Sequence, residues 1–121
     1  LWFEPERMTD SAPILQTHPE SRHGQLVDYG NPETLAWIQD TVYGIIAKHK
    51  IDVYRQDFNM NPGPVWQGMD GPDRVGIAEA KHIVAMYKFL DEMRAASMAS
   101  PSVLSASQKT GPNSSRVIWR V

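Results

Sequence analysis

The chain has 121 residues, a formal net charge of −2 at pH 7, and 41% hydrophobic and 21% charged residues, which is the composition of one globular domain of modest size. The near-neutral balance gives no electrostatic reason to expect nucleic acid or an anionic membrane as partner, and no apolar run approaches the roughly 20 residues of a membrane span. There is no cysteine, so disulfide scaffolds, thiolate metal sites and cysteine nucleophiles are excluded together.

The sequence opens on Leu1-Trp2-Phe3, an apolar run halted by Pro5, which reads as a strand running into an acidic loop. No basic leader or small-residue cleavage site precedes it, so it does not read as a signal peptide. A chain that opens inside a strand reads as a piece of something longer. From Glu6 to Tyr29 the apolar pairs Ile14-Leu15 and Leu26-Val27 are separated by Pro13, Pro19 and Gly24, predicting a long loop or one carrying short elements.

A helix is then clearly marked. Asn31 can cap it, Pro32 suits its first position, and Glu33 complements its positive end. Leu35, Ile38, Val42, Ile45 and Ile46 share one face, and the helix runs out near Lys48–Lys50. Ile51 to Phe58 reads as a strand, and Asn59 to Gly76, with its prolines and glycines, as loop only. A second helix is predicted from about Ile77 to Ala96, with Ala80, Ile83, Val84, Tyr87, Leu90 and Met93 facing inward. The alternation strand, helix, strand, helix argues for an α/β fold with a parallel sheet. Residues 97–121 carry little folding information, and a disordered or poorly packed tail is the expectation for them.

Polar residues gather at the predicted strand ends, which is where parallel α/β proteins bind ligands. An arbitrary Asp there more often caps a loop or pairs with Arg than does chemistry. Asp57 has better company. Arg55, two residues away, points to the same side and favours the charged carboxylate that a nucleophile needs, and Asn59 follows at the same period. Trp2 and Trp66 could offer a flat face to a sugar ring, although core packing is the commoner fate of a Trp. His18, His23, His49 and His82 fall on different elements without ligand spacing, and His49 and His82 read as surface or helix-end residues. There is no phosphate loop and no GxSxG elbow. No metal and no cofactor is expected.

Taken together, Trp2-Phe3-Glu4-Pro5-Glu6-Arg7, Gly30-Asn31-Pro32-Glu33, Ile51 to Asn59 (IDVYRQDFN), Gly71-Pro72-Asp73-Arg74 and Gly76-Ile77 resemble the catalytic domain of family 36 glycoside hydrolases, the α-galactosidases. The likeness runs in order from residue 1 to about Arg94. It implies a partial (β/α)8 TIM barrel of about two β/α units over 1–96, with 97–121 unassigned. It also implies retaining hydrolysis of terminal α-linked galactose, with a galactoside or oligosaccharide as substrate. The family's nucleophile ends the fourth barrel strand in a Lys/Arg-x-Asp-x-Asn motif, which carries onto Asp57. Arg55 takes the place of the basic residue that binds galactose hydroxyls, and Asn59 that of the motif's asparagine. Trp2 and Glu4, on the third strand, come near the sugar pocket.

The departures are equally definite. The family's acid/base aspartate follows a Cys-Ala-Ser-Gly-Gly segment after the sixth strand, and this sequence has neither. Only Ala106-Ser107 echoes it, with Gln108 and Lys109 where glycines should stand. The paired aspartates of the first barrel strand would lie before Leu1. The expectation is therefore a segment of a retaining α-galactosidase that is inactive by itself. The alternative is a non-catalytic carbohydrate-binding or assembly module derived from the same barrel. Galactosyl transfer, or another α-sugar, remains open within the family. Two β/α units leave sheet edges unpaired, so poor solubility or a homo-oligomer is expected. Cytoplasm is the preferred location.

Overall fold

The structure, a computed structural model, describes residues 2–99, 106–107 and 117–120. Trp2 and Phe3 form β1 (Trp2–Phe3), and buried Pro5 follows closely behind. The long connection after it is tied down rather than free. It carries 3-10 turns at Pro13–Gln16 and Pro19–Ser21 and a hairpin of β2 (Arg22–His23) with β3 (Leu26–Val27). Gly24, at φ 60°, turns the hairpin in a conformation that costs glycine nothing. The Val27 N–H donates to the Glu6 carbonyl and the Met8 N–H to that of Gln25, so the segment after β1 lies against the hairpin.

Helix α1 (Pro32–His49) starts as the sequence predicts, with Asn31 Oδ1 accepting the Glu33 N–H at 2.9 Å. Leu35, Ile38, Val42 and Ile46 are buried, with Ile45 at the margin of that face. Each such side chain contributes roughly 1.5–3 kcal/mol by leaving water. Strand β4 (Val53–Gln56) is shorter than the predicted run and pairs with β1 in parallel, Trp2 opposite Arg55 and Phe3 opposite Gln56.

Beyond β4 the structure corrects several expectations. Part of the predicted loop is helix α2 (Gly63–Met69), opened by Pro64 in its first turn, with the Val65 and Trp66 N–H groups donating to Pro62. Helix α3 (Ile77–Ala99) exists where periodicity places it, and Leu90 and Met93 of the predicted face are buried, but the rest of that face is not. His82, Phe89, Leu90 and Met93 are buried and Ala85 and Met86 pack against the core, whereas Ile83, Val84 and Tyr87 are exposed. Both stripes obey helical spacing, and the apolar residues on both sides of α3 made the choice between them ambiguous. His82 is thus a core residue, not a surface one. Asp70 starts α3, its carboxylate accepting the N–H groups of Gly76 at 2.5 Å and Ala78 at 2.8 Å.

Two further strands, β5 (Ala106–Ser107) and β6 (Val117–Arg120), lie in the stretch expected to be disordered. β6 runs antiparallel to β4, from Val53 opposite Arg120 to Gln56 opposite Val117, and β5 pairs with β6. The sheet order is β1-β4-β6-β5, so the sheet is mixed, and parallel pairing holds for β1 and β4. The rest of the tail lies outside the described residues. The α/β character stands: α1 and α3 pack on each other beside the sheet, around Tyr29, Tyr54 and Phe89. No helix among the described residues is long and apolar enough to cross a membrane.

Candidate functional site

Paired residues on adjacent parallel strands send their side chains to the same side of the sheet, and alternate residues on one strand share a face. Trp2 therefore shares a face with Arg55. The pairing continues one step further, because the Asp57 N–H donates to the Phe3 carbonyl at 3.1 Å, and this brings Asp57 beside Glu4. Four of the predicted site residues, Trp2, Glu4, Arg55 and Asp57, thus meet on one face at the ends of β1 and β4. The opposite face belongs to the core. There Phe3 stacks on Tyr54, the Tyr54 hydroxyl donates to Gln56 Oε1 at 2.9 Å, and Gln56 reaches Met86.

Within the polar face, Arg55 Nη2 stands 3.7 Å from Asp57 Oδ2, and the Asp57 side chain is only 15% exposed. Trp2 is half exposed. Asn59, the fifth predicted residue, joins through the first strand's acidic segment. Its side-chain amide donates to Glu4 Oε1 at 2.6 Å and its backbone N–H to Glu6 Oε1 at 2.8 Å. Arg7 binds the other Glu4 oxygen at 2.9 Å. Glu4 therefore has a partner on each oxygen.

Glu6, one of the polar residues that follow the first strand, and Arg7 are not among the predicted site residues, although both lie inside the motif that carries the resemblance. Glu6 is fully buried, and its Oε2 has no hydrogen-bond partner. Burial raises its carboxyl above the ordinary range and the nearby Glu4 adds to this, while the Asn59 N–H and Arg7 pull the other way. Trp66 lies on α2 with its ring 5.1 Å from His82, in the packing role commoner for a tryptophan. The His82 ring is also edge-on to Tyr29, and burial pushes it down to about 4 against the opposing pull of Asp28.

A histidine and two carboxylates do converge elsewhere, which the spacing of the histidines did not reveal. His18 Nδ1 lies 2.9 Å from Glu33 and 3.1 Å from Glu20, all three open to solvent. Surface contacts of the one His18 ring nitrogen with the two carboxylates account for the grouping. An apolar cavity of about 340 Å³ lies between the start of the chain and α1, lined by Phe3, Met8, Val27, Trp37 and Ile38 among others. Glu4 and Arg7 reach its edge, but Arg55, Asp57 and Asn59 do not line it.

No family model matches the chain. It is 21% identical to the α-galactosidase AgaA of Geobacillus stearothermophilus over 105 residues, which cover 77% of this chain and 14% of that protein. It is 23% identical to the α-galactosidase Mel36A of Lactobacillus acidophilus over 105 residues, with the same coverage. The crystal structure of a doubly substituted AgaA, a GH36 α-galactosidase in complex with stachyose, superposes with a TM-score of 0.62 at 17% identity. That match covers 85% of this chain and 16% of the other. The chain is similar to the family 36 α-galactosidases in sequence and in fold. The resemblance read from the WFEPER and RQDFN motifs is thus borne out, and the chain spans about one-seventh of the length of its α-galactosidase relatives.

Proposed function

We propose that this chain is a segment of a retaining α-galactosidase, corresponding to the third and fourth β/α units of its (β/α)8 barrel, and that it carries the nucleophile and one wall of the sugar pocket. In that role Asp57 attacks the anomeric carbon, Arg55 and Asn59 take galactose hydroxyls, and Trp2 and Glu4 border the ring. The observation that carries the reading is the shared face of Trp2, Glu4, Arg55 and Asp57 at the carboxyl ends of two adjacent parallel strands. The stachyose bound by the structural relative supports an α-galactoside as ligand.

Retaining hydrolysis needs a second carboxyl group about 5–5.5 Å from the nucleophile, able to give and take a proton. Glu4 flanks Asp57, but Asn59 and Arg7 occupy its two oxygens, a poor arrangement for a proton donor. The chain by itself therefore binds α-galactosides without turning them over. To test this, the 121-residue chain is titrated with methyl α-galactoside by NMR and incubated with p-nitrophenyl α-galactoside. Saturable binding is expected, weakened about tenfold or more in Arg55→Ala through loss of its hydrogen bonds to the sugar. Turnover that disappears in Asp57→Ala would show the chain to be an enzyme in its own right. Absence of binding would overturn the galactoside reading.

A further inference from the structure

Glu6 is the most anomalous residue in the described structure outside the roles already assigned. A carboxyl group is almost never fully buried without a reason, because removing it from water is costly unless its oxygens are engaged. Glu6 has no solvent exposure, and one of its oxygens has no partner. The other accepts the backbone N–H of Asn59, 53 positions along the chain, at 2.8 Å. That amide is two residues beyond Asp57, in the stretch that leaves the sheet after β4. The Glu6 backbone is itself anchored, since its carbonyl accepts the Val27 N–H at 2.9 Å. So is its neighbourhood: the Tyr29 hydroxyl donates to the Pro5 carbonyl at 3.2 Å. One end of the link is therefore rigid, and the other end is the segment that carries the nucleophile.

We propose that Glu6 is the positioning residue of the galactoside site: its buried carboxyl grips the Asn59 amide and sets the Asp57–Asn59 segment against the strand ends. It does not touch the sugar, because it has no exposed surface from which to do so. It acts through Asn59, whose side chain is then free to reach Glu4 and close the second link across the site. Two acidic residues of one motif thus fix one asparagine, one from beneath through the backbone and one from above through the side chain. The inference rests on the galactoside reading for the ligand but not for the grip itself.

The test uses the whole chain, with Glu6→Gln, Glu6→Asp and Glu6→Ala, and follows amide hydrogen exchange and methyl α-galactoside binding by NMR. Glutamine keeps the accepting oxygen and the shape, so the Asn59 amide stays protected and affinity stays within about twofold of the parent. Alanine removes the acceptor, so exchange at Asn59 speeds up by about tenfold or more and affinity falls by a similar factor, while amides within α1 exchange as before. Aspartate keeps the charge but falls one methylene short, and behaves like alanine. It carries the test should alanine also free the α1 amides, since a folded Glu6→Asp isolates the grip from the fold. Unchanged affinity in Glu6→Asp alongside a deprotected Asn59 amide would overturn the proposal, as would a loss in Glu6→Gln equal to that in alanine. If the parent binds no galactoside, the galactoside reading falls, and Glu6 is judged on the Asp57 carboxyl resonance. A shift of that resonance in Glu6→Asp but not in Glu6→Gln upholds the positioning role, and its absence overturns it.

Discussion

The two faces of β4 are built on different principles. Tyr54 and Gln56 point into the core, with Tyr54 wholly buried among Phe3, Phe89 and the aromatic cluster. Arg55 and Asp57, interleaved with them, point to the polar face, where they form an ion pair, and the Asp57 backbone bonds to Phe3. Packing specifies one face, and electrostatic partners specify the other. The strand and the residue after it therefore alternate between packed and polar side chains, residue by residue. The largest expected effect follows from this. Tyr54→Ala lowers the free energy of unfolding by about 3–5 kcal/mol, the cost of a large buried ring plus the cavity it leaves. Arg55→Ala, by contrast, shifts it by no more than about 0.5 kcal/mol, because its side chain is 40% exposed and its ion pair is long. Urea unfolding of both variants measures the contrast, and comparable losses would show that the polar face also carries the fold.

A smaller effect separates two of the buried titratable groups, Glu6 below the site and His82 in the core. Burial holds the His82 imidazole down to about 4, so it stays neutral in the folded chain, whereas the unfolded chain takes up a proton near pH 6.5. The stability this provides is complete above pH 6.5 and is lost as pH falls towards 4, by up to about 3 kcal/mol. Glu6 has the opposite sign. Its raised carboxyl favours the folded state below the ordinary glutamate range, and that advantage disappears as pH rises through the folded value. Thermal unfolding across pH 4–7 should thus show a flattened acid limb in His82→Phe, which keeps an aromatic ring beside Tyr29 and Trp66. Glu6→Gln should gain stability relative to the parent as pH rises. A His82→Phe profile as steep as the parent's would mean that other groups govern the acid limb.

The contrast between α1 and α3 shows how much of the fold was legible in the sequence. In α1 the cap, the leading proline and the single apolar stripe all agree, and Leu35, Ile38, Val42 and Ile46 are buried as the spacing requires. In α3 the apolar residues surround the helix. Ile83, Val84 and Tyr87 form as good a stripe as Ala85, Met86 and Phe89, and tertiary packing made the choice. His82 went with the second stripe because its ring meets Tyr29 and Trp66, contacts that join residues 53 and 16 positions apart and leave no local signal. α2 was hidden among prolines and glycines for a similar reason, since a seven-residue helix of about two turns led in by Pro62 needs little sequence to specify it. The antiparallel β6 was missed because Val117-Ile118-Trp119 sits in a stretch whose composition argues against order. At the site, strand period sufficed to place Arg55 and Asp57 together, and the motif supplied Trp2 and Glu4. The grip of Glu6 on Asn59 was not legible, because a carboxylate beside a proline in an acidic loop looks solvated until the chain folds over it.

The smallest expected effect concerns the junction that delivers α1 into β4. The helix ends with Lys50 at φ 49°, the left-handed region in which a β-carbon is unfavourable. Its N–H donates back to Ala47, and the Ile51 N–H reaches the Ile46 carbonyl at 3.1 Å, so the Ile46 and Ala47 carbonyls are satisfied by a Schellman turn. Ile51 packs against the core cluster that contains Ile46, which supplies the hydrophobic contact such turns favour. Every part of the motif is present except the glycine that usually occupies the left-handed position. Lys50→Gly should therefore relieve the strain, a gain of about 1 kcal/mol at most once the greater freedom of glycine in the unfolded chain is subtracted. A small rise in melting temperature is the expected result. A fall would mean that the lysine stem or charge at the helix end contributes more than its backbone costs, because a cation there complements the negative end of the helix. Either sign bears on the two faces of β4 alike, since this turn sets where Val53 begins and hence which side Arg55 and Asp57 take.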